Sequence, residues 1–290
     1  MTTPIFGIDA ASMQARVDWA KVDSTTAFGS EKVTQGTGYA NPFWVDAKAQ
    51  MLARAAASGF VPGAYMFLEE GNAAAQANHF AAVAGDLKGF ALFVDVEPWE
   101  AGHSHPTLTD AKVCVARLRQ LYPHHPVGGY IPHWYWGNQD TTFVDWLFQS
   151  HYVNGTGTPA QLYGKVTADF WAPYGGKAPA VLQFTSSATV AGVAGACDCS
   201  AFRGTAAQFR ALTLPAAGPL PSGIYHADGH TTLAALAKRQ GVHVADIIWA
   251  TVLGRENTAH VTGFGSLQGP YVSRGDWTVL MPAGMILWLP

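Results

Sequence analysis

Between Gly89 and Trp99 the chain reads Gly-Phe-Ala-Leu-Phe-Val-Asp-Val-Glu-Pro-Trp. The apolar and aromatic run has the character of a buried strand, yet it finishes in two carboxylates, Asp95 and Glu97, one residue apart. Burying a charge without a partner is costly, so core strands do not ordinarily end in paired acids. Side chains alternate along a strand, which puts both acids on the same side with their backbones roughly 6.6 Å apart. Two acids so placed can reach one bond of a bound substrate, as glycoside hydrolysis requires. The structural alternative is a strand end whose acids cap the next helix or pair with lysine and arginine.

The segments around this strand alternate in type. Strand-like stretches are expected at Ile5–Ala10, at Lys32–Gly36 as the end of a second strand, at Val61–Phe67, at Phe90–Glu97 and at Val127–Ile131. Helical stretches lie between them, at Phe43–Ser58 before the stop signal Gly59, at Asn72–Leu87, and at Leu108–Tyr122 between Thr107 and Pro123. Alternation of this kind argues a parallel sheet with right-handed crossovers. Helices then thin out, and Phe148–Val153, Asp169–Tyr174 and Ala180–Ser186 read as strands joined by loops. Many helices early and few late fit a barrel better than an open sheet. The eleven residues from Thr213 to Gly223 hold three prolines and two glycines, the composition of a semi-rigid linker. The expected organisation is a large barrel over 1–212, a linker over 213–223 and a small α+β module over 224–290.

Composition narrows the class. With 49% hydrophobic and only 13% charged residues the 290-residue chain can build a large core. A net charge of −3 and a pI near 6.4 argue against a nucleic-acid partner. No stretch reaches the roughly 18 uncharged apolar residues of a membrane helix, so no membrane insertion is expected. Met1-Thr2-Thr3-Pro4 leads straight into the first strand without a basic and apolar leader, and the expectation is synthesis in a cytoplasm. Cys197 and Cys199 stand too close for an easy bridge and Cys114 lies in a helical stretch, so no disulfide framework is expected. His103/His105 and His124/His125 lack paired-cysteine spacing, so neither a metal nor another cofactor is expected.

In a parallel barrel, reactive residues gather where strands end. Asp9 closes the first strand, Tyr65 lies near the end of the third, and Asp95 and Glu97 end the fourth. Tyr130 is in the fifth, Trp171 and Tyr174 close a later one, Gln183 lies in another, and Asp198 follows Ala194-Gly195-Ala196. Singly each has a structural explanation: Asp9 as a helix cap, Tyr65 and Tyr130 as core, Asp198 in a turn. Together they place four acids on one rim.

Over residues 4–212 the chain resembles glycoside hydrolase family 25, lysozymes that cut peptidoglycan as N-acetylmuramidases. The resemblance rests on Phe6-Gly7-Ile8-Asp9, Gly63-Ala64-Tyr65-Met66-Phe67, Phe93-Val94-Asp95-Val96-Glu97, Gly129-Tyr130, Phe170-Trp171-Ala172-Pro173-Tyr174, Leu182-Gln183-Phe184-Thr185-Ser186, and Asp198 with Phe202. It departs from the family pattern at Gln35, where Thr-Glu-Gly is usual, and at Met66, where a histidine is common.

The resemblance implies a modified TIM-type barrel, (β/α)5(β)3, that hydrolyses the bond between N-acetylmuramic acid and N-acetylglucosamine with retention. By position, Glu97 is then the general acid and base. Asp95 either assists the substrate's own N-acetyl group or attacks or stabilises the cation directly. Asp9 and Asp198 hold the charge pattern and hydrogen-bond the sugar or Glu97, while Tyr65, Tyr130, Trp171, Tyr174 and Gln183 shape the cleft. A wall-glycan anchor that does not cut, and a chitinase-like hydrolase, are the alternative readings.

The tail resembles a LysM module, a βααβ binder of sugar polymers, through residues 225–248 and 281–290. His230 stands in place of the usual aspartate before Thr231, and residues 254–280 lengthen the last connection. An enzyme joined to a wall binder, without a leader, implies release in the manner of a phage lysin.

Overall fold

The computed structural model describes residues 4–12, 16–99, 105–215, 223–226, 235 and 286–289. The chain divides into two compact units, Met1–Pro215 and Ala216–Pro290.

The first unit is a closed barrel. Its eight staves are β1 (Ile5–Ala10), β2 (Thr26–Gln35), β4 (Val61–Phe67), β5 (Ala91–Asp95), β6 (Val127–Tyr130), β7 (Leu147–Ser150), β8 (Val181–Ala188) and β9 (Cys197–Phe202). A two-residue strand, β3 (Tyr39–Ala40), folds back on the end of β2. Neighbours run parallel from β1 through β2 and on to β8, and β9 closes the cylinder antiparallel to both β8 and β1. Helices follow five of the first six staves: α1 (Trp44–Ser58), α2 (Ala73–Ala84), α3 (Leu108–Leu121) and the short α4 (His133–Trp136) and α5 (Pro159–Tyr163). This is the (β/α)5(β)3 pattern expected from the resemblance, with full-length helices on only three units.

Local chemistry sets the ends of the helices. Gly59, at φ 72°, closes α1 in a left-handed conformation that other residues avoid. Reciprocal side-chain and backbone bonds between Thr107 and Asp110 open α3, and Thr158 with Gln161 does the same for α5. The segment expected as a strand at Asp169–Tyr174 is instead a 3₁₀ turn at Ala168–Trp171 followed by a short bridge between Tyr174 and Lys177. Gly175 and Gly176, at φ 58° and 88°, reverse the chain there.

Alternation along the staves sorts the core into two parts. Outward residues such as Ile8, Val33, Met66, Leu92, Val94 and Phe184 pack beneath the helices. Inward residues Phe28, Val61, Phe93, Trp146, Phe148 and Val181 fill one end of the cylinder. After β9, a helix α6 (Ala206–Thr213) pushes Phe209 into that end, its ring 4.4 Å from Phe28 and 5.2 Å from Phe202. Glycine makes room for the rings: a Cβ on Gly128 would lie 2.2 Å from the Trp146 indole. The aromatic plug closes the bottom of the barrel, and polar residues are left at the top.

In the second unit β10 (Gly223–His226) pairs antiparallel with β11 (Ile286–Leu289). The two helices expected between them in a βααβ module lie outside the described residues, apart from Ala235.

Candidate active site

At the open end the inward positions turn from aromatic to acidic. Asp9 and Asp198 face each other directly across the antiparallel β1–β9 pair. Asp95 ends β5, level with Phe67 of β4 and Tyr130 of β6. The strand path continues one residue further: the Val96 N–H donates to the Tyr130 carbonyl at 2.8 Å, and its side chain is fully buried in the outer core. That anchor turns Glu97 to the same side as Asp95. The structure thus brings the four acids together, and Asp9, Asp95 and Glu97 are each perturbed electrostatically by one or more of the others. Asp95 is the deepest, 8% exposed, whereas Asp9, Glu97 and Asp198 are part-buried and reach the opening.

Gln183 ties the cluster to the barrel wall. Its amide nitrogen donates to both carboxylate oxygens of Asp9, at 2.9 and 3.0 Å. Its carbonyl oxygen accepts from Tyr130 at 2.9 Å and from Tyr152 at 2.5 Å. Tyr65 lies just below, stacked on Phe93 at 4.9 Å, and donates to the Ala10 carbonyl.

Lys32 is a site residue that strand-end reasoning missed. It is 8% exposed, pairs in register with Tyr65, and carries its ammonium 4.8 Å from the Phe67 ring centre and 5.7 Å from that of Trp99. The ammonium donates to Gln35 at 3.3 Å. Burial lowers its pKa against the pull of Asp95, Glu97, Asp9 and Glu69. Among the described residues this one cation feels four carboxyls. Burial, together with the neighbouring acids, raises the pKa of Asp9 and Asp95 far above the usual carboxylate range. Glu97 rises to about 7, mainly through burial, with Lys32 opposing and Asp198 adding to the rise. At neutral pH the cluster shares protons, and Glu97 is poised to give one up.

A cleft of about 420 Å³ opens beside Glu97, lined also by Tyr130, Trp134, Gln149, His151 and Tyr152. Trp171 and Tyr174 do not line it. Trp171 is buried in the outer core beneath the Arg203 guanidinium, 4.2 Å from its ring, and Tyr174 is buried with its hydroxyl bonded to the Ile131 carbonyl. The position on the rim that the sequence suggested for them is held by Tyr152, just past the end of β7.

A family model for glycosyl hydrolases family 25 matches residues 8–193, the span that holds Asp9, Asp95 and Glu97. The chain belongs to glycosyl hydrolase family 25. Its family fold extends to solved structures. The bacterial lysozyme of Streptomyces coelicolor superposes with a TM-score of 0.56 at 22% identity, over 73% of this chain and 98% of that one. A family 25 glycosyl hydrolase from Bacillus anthracis gives 0.56 at 17%, over 72% and 94%. The catalytic domain of endolysin ply40, from bacteriophage P40 of Listeria monocytogenes, gives 0.55 at 16%, over 72% and 98%. Among curated proteins no match is found. As a family 25 enzyme the chain is a glycosidase, and its acid cluster lies on the barrel's open end, where such a fold carries its chemistry.

Proposed function

We propose that this glycosidase is a peptidoglycan hydrolase that cuts between N-acetylmuramic acid and N-acetylglucosamine with retention, using Glu97 as acid and base. The observation that carries the reading is a part-buried Glu97 with a pKa of about 7, two residues from a deeply buried Asp95 and at the edge of a sugar-sized cleft. The descriptions of the Streptomyces neighbour as a lysozyme and of ply40 as an endolysin support the choice of substrate.

In this mechanism protonated Glu97 gives its proton to the glycosidic oxygen as the bond from C1 to that oxygen breaks. The substrate's acetamido oxygen attacks C1 from the opposite face and forms a cyclic oxazolinium. Asp95 suits the task of holding the acetamido N–H, because its Oδ1 is buried and has no hydrogen-bond partner among the described residues. Water then opens the ring at C1 and gives its proton to the Glu97 carboxylate. Two inversions leave the configuration retained. Asp9, fixed by Gln183, and Asp198 opposite it keep the cluster's proton affinity high.

Replacing Glu97 by Gln is expected to abolish clearing of isolated cell walls, with muramic acid absent from new reducing ends. Clearing at the wild-type rate would overturn the assignment. We further propose that the tail over 224–290 is a LysM-like wall binder. Removing residues 214–290 then lowers sedimentation with isolated walls more than turnover of a soluble glycan, and equal losses on both would refute it. Tethering raises the local concentration of wall for the enzyme.

A further inference from the structure

Inside the barrel, between the aromatic plug and the acids, lies a pocket of about 20 Å³. Asp9 lines it from the open end, Phe93 and Phe209 belong to the plug, and Ser30, Trp146 and Ser200 stand around it. The sequence makes the space by placing small residues on adjoining staves. Along β9 the inward positions are Asp198, Ser200 and Phe202, and the register sets Gly7 of β1 beside Ser200. One stave further, Ser30 of β2 pairs with Gly63 of β4.

Two polar side chains on this pocket have hydrogen-bonding needs that the protein does not meet. Ser200 is 1% exposed and Trp146 3%, and neither Ser200 Oγ nor Trp146 Nε1 has a hydrogen-bond partner among the described residues. Leaving such groups unbonded is costly, and native interiors satisfy them with ordered water where no side chain or backbone group does so. The size fits one molecule: about 10–15 Å³ is enough for a water, which then makes about three hydrogen bonds. Asp9 supplies a third partner. Both of its carboxylate oxygens already accept from the Gln183 amide, so a proton held by Asp9 needs another acceptor. We propose that one internal water occupies this pocket, donating to Ser200 Oγ and accepting from Trp146 Nε1 and from Asp9 when that acid carries a proton. The acid cluster is then hydrogen-bonded from below by this water as well as from the wall by Gln183. The site belongs to the barrel interior and not to the cleft that opens beside Glu97, so it stands whatever glycan the enzyme cuts.

The test uses the full chain. A crystal structure at atomic resolution is expected to show one ordered water within about 3.2 Å of Ser200 Oγ, Trp146 Nε1 and an Asp9 oxygen. A pocket without solvent density, or a Ser200 hydroxyl turned onto a backbone carbonyl, would overturn the proposal. A water farther than about 3.5 Å from both Asp9 oxygens would overturn its link to the acids. Stability gives an independent reading. If Ser200 Oγ bonds a water, Ser200→Ala lowers the melting temperature of the barrel by about 2–4 °C, the shift of one lost hydrogen bond in a chain of this size. An orphan hydroxyl instead gives no change or a rise, and that result would refute the water. Ser200→Val sets methyl groups where the water would stand. It should remove one long-held water from the magnetic relaxation dispersion of the solvent, and an unchanged dispersion would overturn the assignment to this pocket.

Discussion

Among the described residues Lys32 is the only cation that perturbs Glu97, so its removal has a calculable consequence. The substitution Lys32→Met keeps a flexible chain against Phe67 and Trp99 while deleting the charge. A unit charge about 6 Å from a carboxyl, at an effective dielectric of about 20, is worth about 2.8 kcal/mol, or about two pH units in the acid's midpoint. Glu97 is only part-buried, and solvent at the opening halves this to about one unit. The sign follows from which form Lys32 favours. It stabilises the carboxylate, so without it Glu97 holds its proton to higher pH, and the general acid survives further into the alkaline range. The pH dependence of kcat/KM on a soluble tetrasaccharide reports the free enzyme. Its alkaline midpoint is expected near 7 in the wild type and near 8 in Lys32→Met. Lost amplitude alone would show only that Lys32 also helps to bind or pack. A midpoint that stays put or moves down would refute the proposition that this ammonium tunes Glu97.

Two further substitutions test the energetics of buried acids. Glu97 has its pKa raised from 4.5 to about 7, so the folded state binds that proton more tightly than the unfolded state, and stability falls as pH rises from 4.5 through 7. Glu97→Gln escapes this, and its melting temperature should exceed the wild type's by an amount that grows between pH 5 and pH 8; about 1–2 kcal/mol is expected after allowance for solvent, and a gap that does not change with pH would contradict the linkage. Glu31, on the outward side of β2 and 1% exposed, accepts from Trp19 Nε1 and from Asn41 Nδ2, each at 3.1 Å. Glu31→Ala strands the Trp19 N–H and leaves the Asn41 amide only its bond to the Lys32 carbonyl, and should cost about 2–3 kcal/mol in urea unfolding; a loss below about 0.5 kcal/mol would show that the donors find other partners.

Where local periodicity decided the structure, the sequence was a sound guide. The run from Phe93 to Glu97 has a period of two, which already determines that Asp95 and Glu97 share a side, and Val96 between them is buried in the outer core as alternation demands. Val61–Phe67 forms a strand with those bounds for the same reason. Trp171 and Tyr174 misled because an apolar, aromatic segment reads alike as a buried strand or a packed turn. Here Pro173 and the two left-handed glycines that follow decide for the turn, and the rings go into the outer core. Lys32 was hidden for a different reason. A lysine is ordinarily a surface residue, and only the register of β2 against β4, which pairs it with Tyr65, turns it inward. Tyr152 became visible as a site residue only through Gln183, thirty-one positions away.

Asp198 shows why a barrel's rim cannot be read as a row of strand ends. Seven staves run the same way, so their final residues meet at one opening, but β9 runs against both neighbours. Its contribution to that opening comes from its beginning, and Phe202 at its end goes down to the aromatic plug beside Phe209. The reversal sets Asp198 directly across from Asp9, an arrangement of like charges that weakens a strand pair. The same proximity lifts the proton affinity of Asp9 and contributes to that of Glu97. The antiparallel closure thus trades stability in one strand pair for a carboxyl cluster that keeps protons at neutral pH, and a general acid needs that retention.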